Sequence, residues 1–453
     1  VTVNGNLAGS RMIGNYLYAV VNQQATQTNS NGTDIEVNLP EISGTHNKTA
    51  EPTEIYYIDI VDQFYYMTTV VAVDVANDAA EPTIETFLTS QTSSMYVSTT
   101  NMYLIAPNTN NWLLAESGEE TEDETLVYRV KLDKQNMVVE AEGKVSGFVL
   151  NQFSMDEYNG YFRIATTEWD NKWTDEGFTS DSTNSLFIMD MNLDVVGKLE
   201  NLAVGESIYS TRFMGDRVYI VTFRQIDPFF VIDVSNPTQP TVLGYLKIPG
   251  YSSYLHPYDE THIIGIGMEN STLKLSLFDV TDVTAPVETA KYTVEADYSS
   301  STVLWDHKAF LFDKTKNLLA LPVSTNFYHN LIKPGTDSSV EPMNPTIDPD
   351  DEPNNATIAP DDELRNDTTI VERDVIEFSM DYWQGAYIFD VSVENGFTVR
   401  GTITHKTAAD QYEYGLEIER ILYIEDVIYT VSDKMVKLNN LESLEILKEI
   451  QLS

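Results

Sequence analysis

The residues best placed to do chemistry together in this sequence are Arg212, His256, Asp306, His307 and Arg420. His256 and His307 fall at the starts of two successive repeats, beside Pro257 and Asp306, where the inner strands of those repeats bring them within reach of Arg212 and Arg420. Guanidinium and imidazole groups that converge suit a small anion, and neutral imidazoles suit a metal ion. A satisfied structural network of polar groups is the plainer expectation. The six histidines are His46, His256, His262, His307, His329 and His405, and none shows H-E-x-x-H or another close metal-binding spacing.

Carboxylates offer a second chemistry. Asp348, Asp350 and Asp351 cluster in one acidic stretch, and Asp170 and Asp175 in another. Hard cations such as Ca²⁺ take six to eight oxygen ligands, which makes calcium the candidate ion. Neither cluster has the spacing of an EF-hand loop, so solvated charge runs are the simpler reading, and no cofactor is required by the sequence. Asparagine sequons occur at Asn31, Asn47, Asn270, Asn355 and Asn366, all between predicted strands of loop-rich composition, where glycans need exposed backbone. No G-x-S-x-G elbow, P-loop or dinucleotide fingerprint occurs, and nothing nominates a nucleophile.

Composition narrows the partners. Seventy Asp and Glu against 27 Lys and Arg give a net charge of −43, which repels nucleic acid and anionic lipid. Cysteine is absent, which excludes disulfides, thiol catalysis and thiolate metal sites. No run of 18 uninterrupted apolar residues occurs, so no transmembrane segment is expected, and no signal-peptide pattern follows Val1.

The elements that position these groups are read best from 206–249. This stretch holds four apolar runs separated by Gly215-Asp216, Ser235-Asn236-Pro237 and short polar linkers. The middle two runs are apolar on both faces and the fourth alternates, as two covered strands and one half-exposed edge strand would. Four antiparallel strands in about 40–45 residues make one propeller blade. A polar turn followed by an aromatic or aliphatic run recurs seven times. An Asp between apolar neighbours recurs at Asp74, Asp190, Asp233, Asp279 and Asp390. The expected fold is an all-β propeller forming one domain over 1–453, with seven blades preferred and eight as the alternative. The blades are expected at 5–90, 91–146, 147–204, 205–249, 250–298, 299–406 and 415–453. Residues 1–6 read as the outer strand of another unit, either pairing with the last blade to close the ring or left from an eighth. Insertions enter between the second and third strands, about 22–54 and 334–373, and decorate one face of the disc. The aromatic run 54–69 is expected to pack back on the disc or to form a contact surface.

From 207 to 322 the words YSTRFMGDRVYIVTF, FFVIDVSNPTQPTVLGYLKIPGYSSYLHPYDETHIIGIG and DHKAFLFDKTKNLLALPV resemble the secreted β-propeller proteins of archaea and bacteria, with a C-terminal propeller distantly related to WD40 repeats. QGAYIFDVSVENGF and the closing ILYIEDVIYTVSDKMVKLNNLESL are similar to them as well. The resemblance implies an exported, extracellular or cell-surface protein and a non-catalytic propeller. It brings no set of catalytic residues. The expected function is a non-enzymatic binding or structural module that presents loops on a rigid disc. Its expected partners are another protein, a surface polymer or copies of itself. The alternative is a hydrolase with a cation-assisted site in the channel mouth.

Overall fold

The computed structural model describes residues 1–28, 35–43, 47–57, 65–108, 123–174, 177–224, 227–333, 375–407 and 413–452. Seven sheets follow one another along the chain, each built on four antiparallel strands hydrogen-bonded mainly in sequence order. These blades, numbered 1 to 7, cover 6–89, 94–146, 155–202, 207–248, 251–293, 298–403 and 420–451. The all-β propeller expected from the repeat is present, with blade boundaries close to those read from the turns.

Blade 4 shows why the sequence folds this way. Its strands are Ser207–Met214, Arg217–Phe223, Asp227–Asp233 and Thr241–Ile248. β-Branched and aromatic residues fill the second strand, and its five central residues are all buried. Val218 and Ile220 pack with Leu186 and Ile188 of blade 3, whereas Tyr219 and Val221 pack with Leu255 and Ile263 of blade 5. One strand thus serves two seams, which is why it is apolar on both faces.

The recurring Asp is a structural device. Its carboxylate accepts a hydrogen bond from the backbone N–H two residues on: Asp74 from Ala76 at 3.0 Å, Asp233 from Ser235 at 2.9 Å and Asp279 from Thr281 at 2.8 Å. This Asx turn starts the return to the outer strand. The outer strands carry small residues where the next blade's turn seats. A Cβ on Gly197 would stand 2.0 Å from the Pro237 carbonyl oxygen of blade 4, so only glycine permits that approach.

Polar latches add to the apolar seams. Tyr18 of blade 1 donates to the Lys134 carbonyl of blade 2 at 2.5 Å. Arg129 of blade 2 donates to the Met191 carbonyl of blade 3 at 2.7 Å, and Arg163 of blade 3 to the Gly215 carbonyl of blade 4 at 2.6 Å. Arg400 of blade 6 reaches the Leu441 carbonyl of blade 7 at 3.1 Å.

Several expectations are corrected. Thr2–Val3 pairs with Glu41–Ser43 of the blade 1 insertion, not with blade 7, because that insertion supplies its own strand edge. Asp170, of the acidic stretch read as a solvated charge run or a weak cation site, lies on a strand of a long hairpin in which Tyr161–Thr174 pairs with Gly177–Met189. The insertions do enter between second and third strands. In blade 1 that insertion contributes Ile55–Tyr57, which runs parallel to Thr83–Thr89, with Tyr56 stacked on Phe87 at 5.6 Å. The described start of the aromatic run, Ile55–Tyr57, therefore packs back on the disc.

Candidate functional site

The candidate site is the axial channel, and an irregular inner strand in blade 6 shapes it. Regular pairing is broken there: Tyr298–Ser300 and Leu311–Asp313 both pair with Leu318–Lys333, and between them run two 3-10 turns, Thr302–Leu304 and His307–Ala309. The side chains of Ser301 and Asp306 cap these turns, accepting from the Val303 and Lys308 N–H groups at 3.2 and 3.0 Å. His307 was expected on an inner strand; it lies in the second turn instead, because those two caps offer the backbone an alternative to the ladder. The turns line a cavity of about 620 Å³ with Trp305, Asp306, His307 and Lys308. Trp305 is 72% exposed. Blade 1 contributes Arg11, and Gln152 and Phe153 come from the turn that precedes the inner strand of blade 3. A smaller cavity of about 280 Å³ shares Arg11, Gln152 and Phe153 and adds Arg212 and Asp156.

Within these walls Arg11 donates to the Gln152 side-chain oxygen, and the Gln152 amide nitrogen lies 3.1 Å from His307 Nε2. Arg212 lies over the Phe153 ring at 5.0 Å, and Phe153 meets His307 edge-on at 4.8 Å. His256 Nδ1 is 3.0 Å from the Tyr254 hydroxyl, and the Tyr254 ring is 6.2 Å from that of His307. Arg420 forms an ion pair with Asp306 at 2.5 Å, tying blade 7 to blade 6.

The structure thus divides the five predicted residues into two sets. Arg212, His256 and His307 gather around Tyr254 and Phe153, while Asp306 and Arg420 neutralise each other. Burial, with the positive charge of Arg212, lowers the His256 pKa to about 4, so its imidazole is neutral at pH 7. Burial likewise lowers His307. Burial also lowers the Arg212 pKa, a sign that its charge is poorly solvated. The nearby carboxylate of Asp156 is taken by Arg163 in an ion pair, with Arg163 3% exposed. Among the described residues, neither Arg11 nor Arg212 has an ion-pair partner.

Sequence reasoning missed Arg11, Gln152, Phe153 and Tyr254. A signal for Arg11 existed: Ser10-Arg11-Met12-Ile13-Gly14 aligns with Thr211-Arg212-Phe213-Met214-Gly215, and each arginine pairs in register with a tyrosine, Tyr18 and Tyr219. The other proposed sites stand apart from the channel. Asp348, Asp350, Asp351, Asp175, Asn31, Asn355 and Asn366 lie outside the described residues, as does the side chain of Asp170. Among the described residues, no three His, Cys, Asp or Glu side chains gather into a metal site. Asn47 and Asn270 are exposed. Asn270 and Ser271 have φ of 50° and 69° and form a two-residue hairpin turn, which independently favours Asn there.

A family model for a beta propeller domain matches residues 1–444. An uncharacterized protein of Archaeoglobus fulgidus is 45% identical over 205 residues, covering 45% of this chain and 31% of that relative. The uncharacterized protein MJ1554 of Methanocaldococcus jannaschii is 45% identical over 216 residues, covering 48% of this chain and 33% of its own length. The matched segment is thus about a third of each of these curated relatives. Among the described residues, no helix is long and apolar enough to cross a membrane.

Proposed function

This chain belongs to the beta propeller domain family, and from that premise we propose that it is a non-enzymatic binding module whose axial channel takes an anionic group. The observation that carries the proposal is the pair Arg11 and Arg212. Both line one cavity, and among the described residues neither has a carboxylate partner, in a chain of net charge −43. With so many acids available, two arginines facing shared space without a counter-ion leave that position for a ligand's charge. Guanidinium groups bind carboxylate and phosphate in a planar, two-point geometry. Bulk repulsion does not prevent this, since charges beyond about 8–10 Å are screened at physiological salt. Phe153 and Trp305 add apolar walls, and a cavity of about 620 Å³ suits a small ligand or a side chain of a protein or polymer partner. An extracellular or cell-surface location fits the acidic surface. Calcium and glycans, expected from the acidic stretches and sequons, are no part of this reading of the channel.

Thermal unfolding tests the proposal. Inorganic phosphate or citrate, compared with chloride at equal ionic strength, raises the unfolding midpoint of the wild type and leaves that of an Arg11→Met/Arg212→Met double variant unchanged. Equal shifts in the two proteins refute it. The hydrolase alternative rests on the two imidazoles held neutral, His256 and His307, which can accept protons. Turnover of an ester or phosphoester that is lost in His307→Gln, with phosphate-dependent stabilisation retained, favours that reading.

A further inference from the structure

Six buried apolar seams join the seven blades in sequence order, from blades 1 and 2 through to blades 6 and 7. Among the described residues, no buried cluster, hydrogen bond or ion pair joins blade 7 to blade 1. Blade 7 keeps a strict alternation instead. Its second strand, Val427–Val431, buries only every other residue. Facing away from blade 6, with Arg420, Val427 and Asn440 at the margins of the same face, are Leu422, Ile424, Tyr429, Val431, Val436 and Leu438. All six are apolar or aromatic, and none is buried. Leu422 is 41% and Ile424 56% exposed. By register, Tyr429, Val431, Val436 and Leu438 correspond to Tyr219, Val221, Phe229 and Val231 of blade 4, which are at most 2% exposed beneath blade 5. Blade 1 is open on its face away from blade 2 at its inner edge, where Met12 is 61% exposed beside Leu17, while Val21 and Val71 further out on that face are 7% and 2% exposed.

We propose that these two faces form a slot for one further four-stranded antiparallel blade of the same polypeptide, seated between blade 7 and blade 1 to make eight. Three observations select this occupant. A blade of this fold is the one element with two apolar faces, so it satisfies both walls at once, as blade 5 does between blades 4 and 6. Direct closure of blade 7 on blade 1 would bury the residues that stand exposed. The curated relatives, of which matched segments of 205 and 216 residues are 31% and 33%, run to about 650–660 residues against 453 here, so polypeptides of this kind carry sequence enough for another unit. One position departs from the pattern. After the bulge in the outer strand, blades 2 to 6 place Ala141, Gly197, Gly244, Ala290 and Gly401, whereas blade 7 places Lys448. A lysine there prevents the close seating of the next turn, so the new seam is dry over the inner three strands and wet at its rim.

The test is electron cryo-microscopy of the protein isolated from its source, combined with a Leu438→Asp substitution in that protein and in the 453-residue chain. The expected result is eight blades, with Leu438→Asp lowering the unfolding midpoint of the source protein and leaving that of the 453-residue chain nearly unchanged. Seven blades with blade 7 packed on blade 1, a second copy in the slot, or a Leu438 face still open in the source protein overturns the proposal.

Discussion

Blades 4 and 7 have second strands of nearly the same character, VYIVTF and VIYTVS, yet one is buried on both faces and the other on one. Burial in a propeller is a property of the neighbours, not of the strand. Blade 4 sits between two sheets and excludes water from Tyr219 and Val221, whereas the equivalent Tyr429 and Val431 remain half-exposed. The same apolar alternation therefore stabilises one blade fully and leaves the other with a surface that another sheet would complete.

The largest expected effect separates these two blades directly. Val231→Asp places an unpaired charge at a fully buried position and costs about 4–5 kcal/mol or abolishes folding, whereas Leu438→Asp in the 453-residue chain stays within about 0.5 kcal/mol, measured by denaturant unfolding. Truncation gives a second contrast. Phe229→Ala removes a fully buried ring and costs about 3–5 kcal/mol, and Val436→Ala less than about 1 kcal/mol. Equal losses in either pair would erase the distinction between the blades.

The latches differ in the same way. Arg163→Met leaves Asp156 and the Gly215 carbonyl without their donor and destabilises by about 3 kcal/mol. Lys316→Met, next to a 91% exposed Asp426, shifts stability by no more than about 0.5 kcal/mol. The interior also sets an acid limit. His256 is held at about 4 against an ordinary value near 6.5, so between those values the unfolded chain binds a proton that the folded one refuses. Its contribution is complete above about pH 6.5 and is lost as pH falls towards 4, about 3 kcal/mol in all. His405, 3% exposed between Ser432 and Thr430, is also held at about 4 and adds to the same window. His256→Gln flattens the pH dependence of the unfolding free energy over that range. One further effect has the opposite sign. Arg212→Met removes a poorly solvated charge with no ion-pair partner among the described residues and raises stability by about 1 kcal/mol, as a residue kept for binding would.

The blades were legible because each repeats a polar turn and five of the seven add an Asp between apolar neighbours, and local signals survive in sequence. The interruption in the inner strand of blade 6 was not, since Ser301 and Asp306 look like ordinary polar residues until their caps are seen to break the ladder. That Asp306 and Arg420 converge was expected, but that they neutralise each other and stand apart from Arg212 was not, because the pair joins residues 114 positions apart on different blades. Arg212 and His256 were found by their place on inner strands and His307 by an expected one that proved to be a turn, and Arg11 was missed although its strand repeats that of Arg212. The open face of blade 7 leaves no mark in its own residues, only in the neighbour it lacks.

The most direct single measurement is calorimetric titration with inorganic phosphate at pH 7, comparing the wild type with Arg212→Met and with Arg420→Met. A channel that binds anions through its arginines without ion-pair partners gives one-to-one binding in the wild type, at least a tenfold loss in Arg212→Met, and a smaller loss in Arg420→Met, where the released Asp306 carboxylate repels the anion but the binding arginine remains. No binding by the wild type, or equal binding by all three proteins, contradicts it.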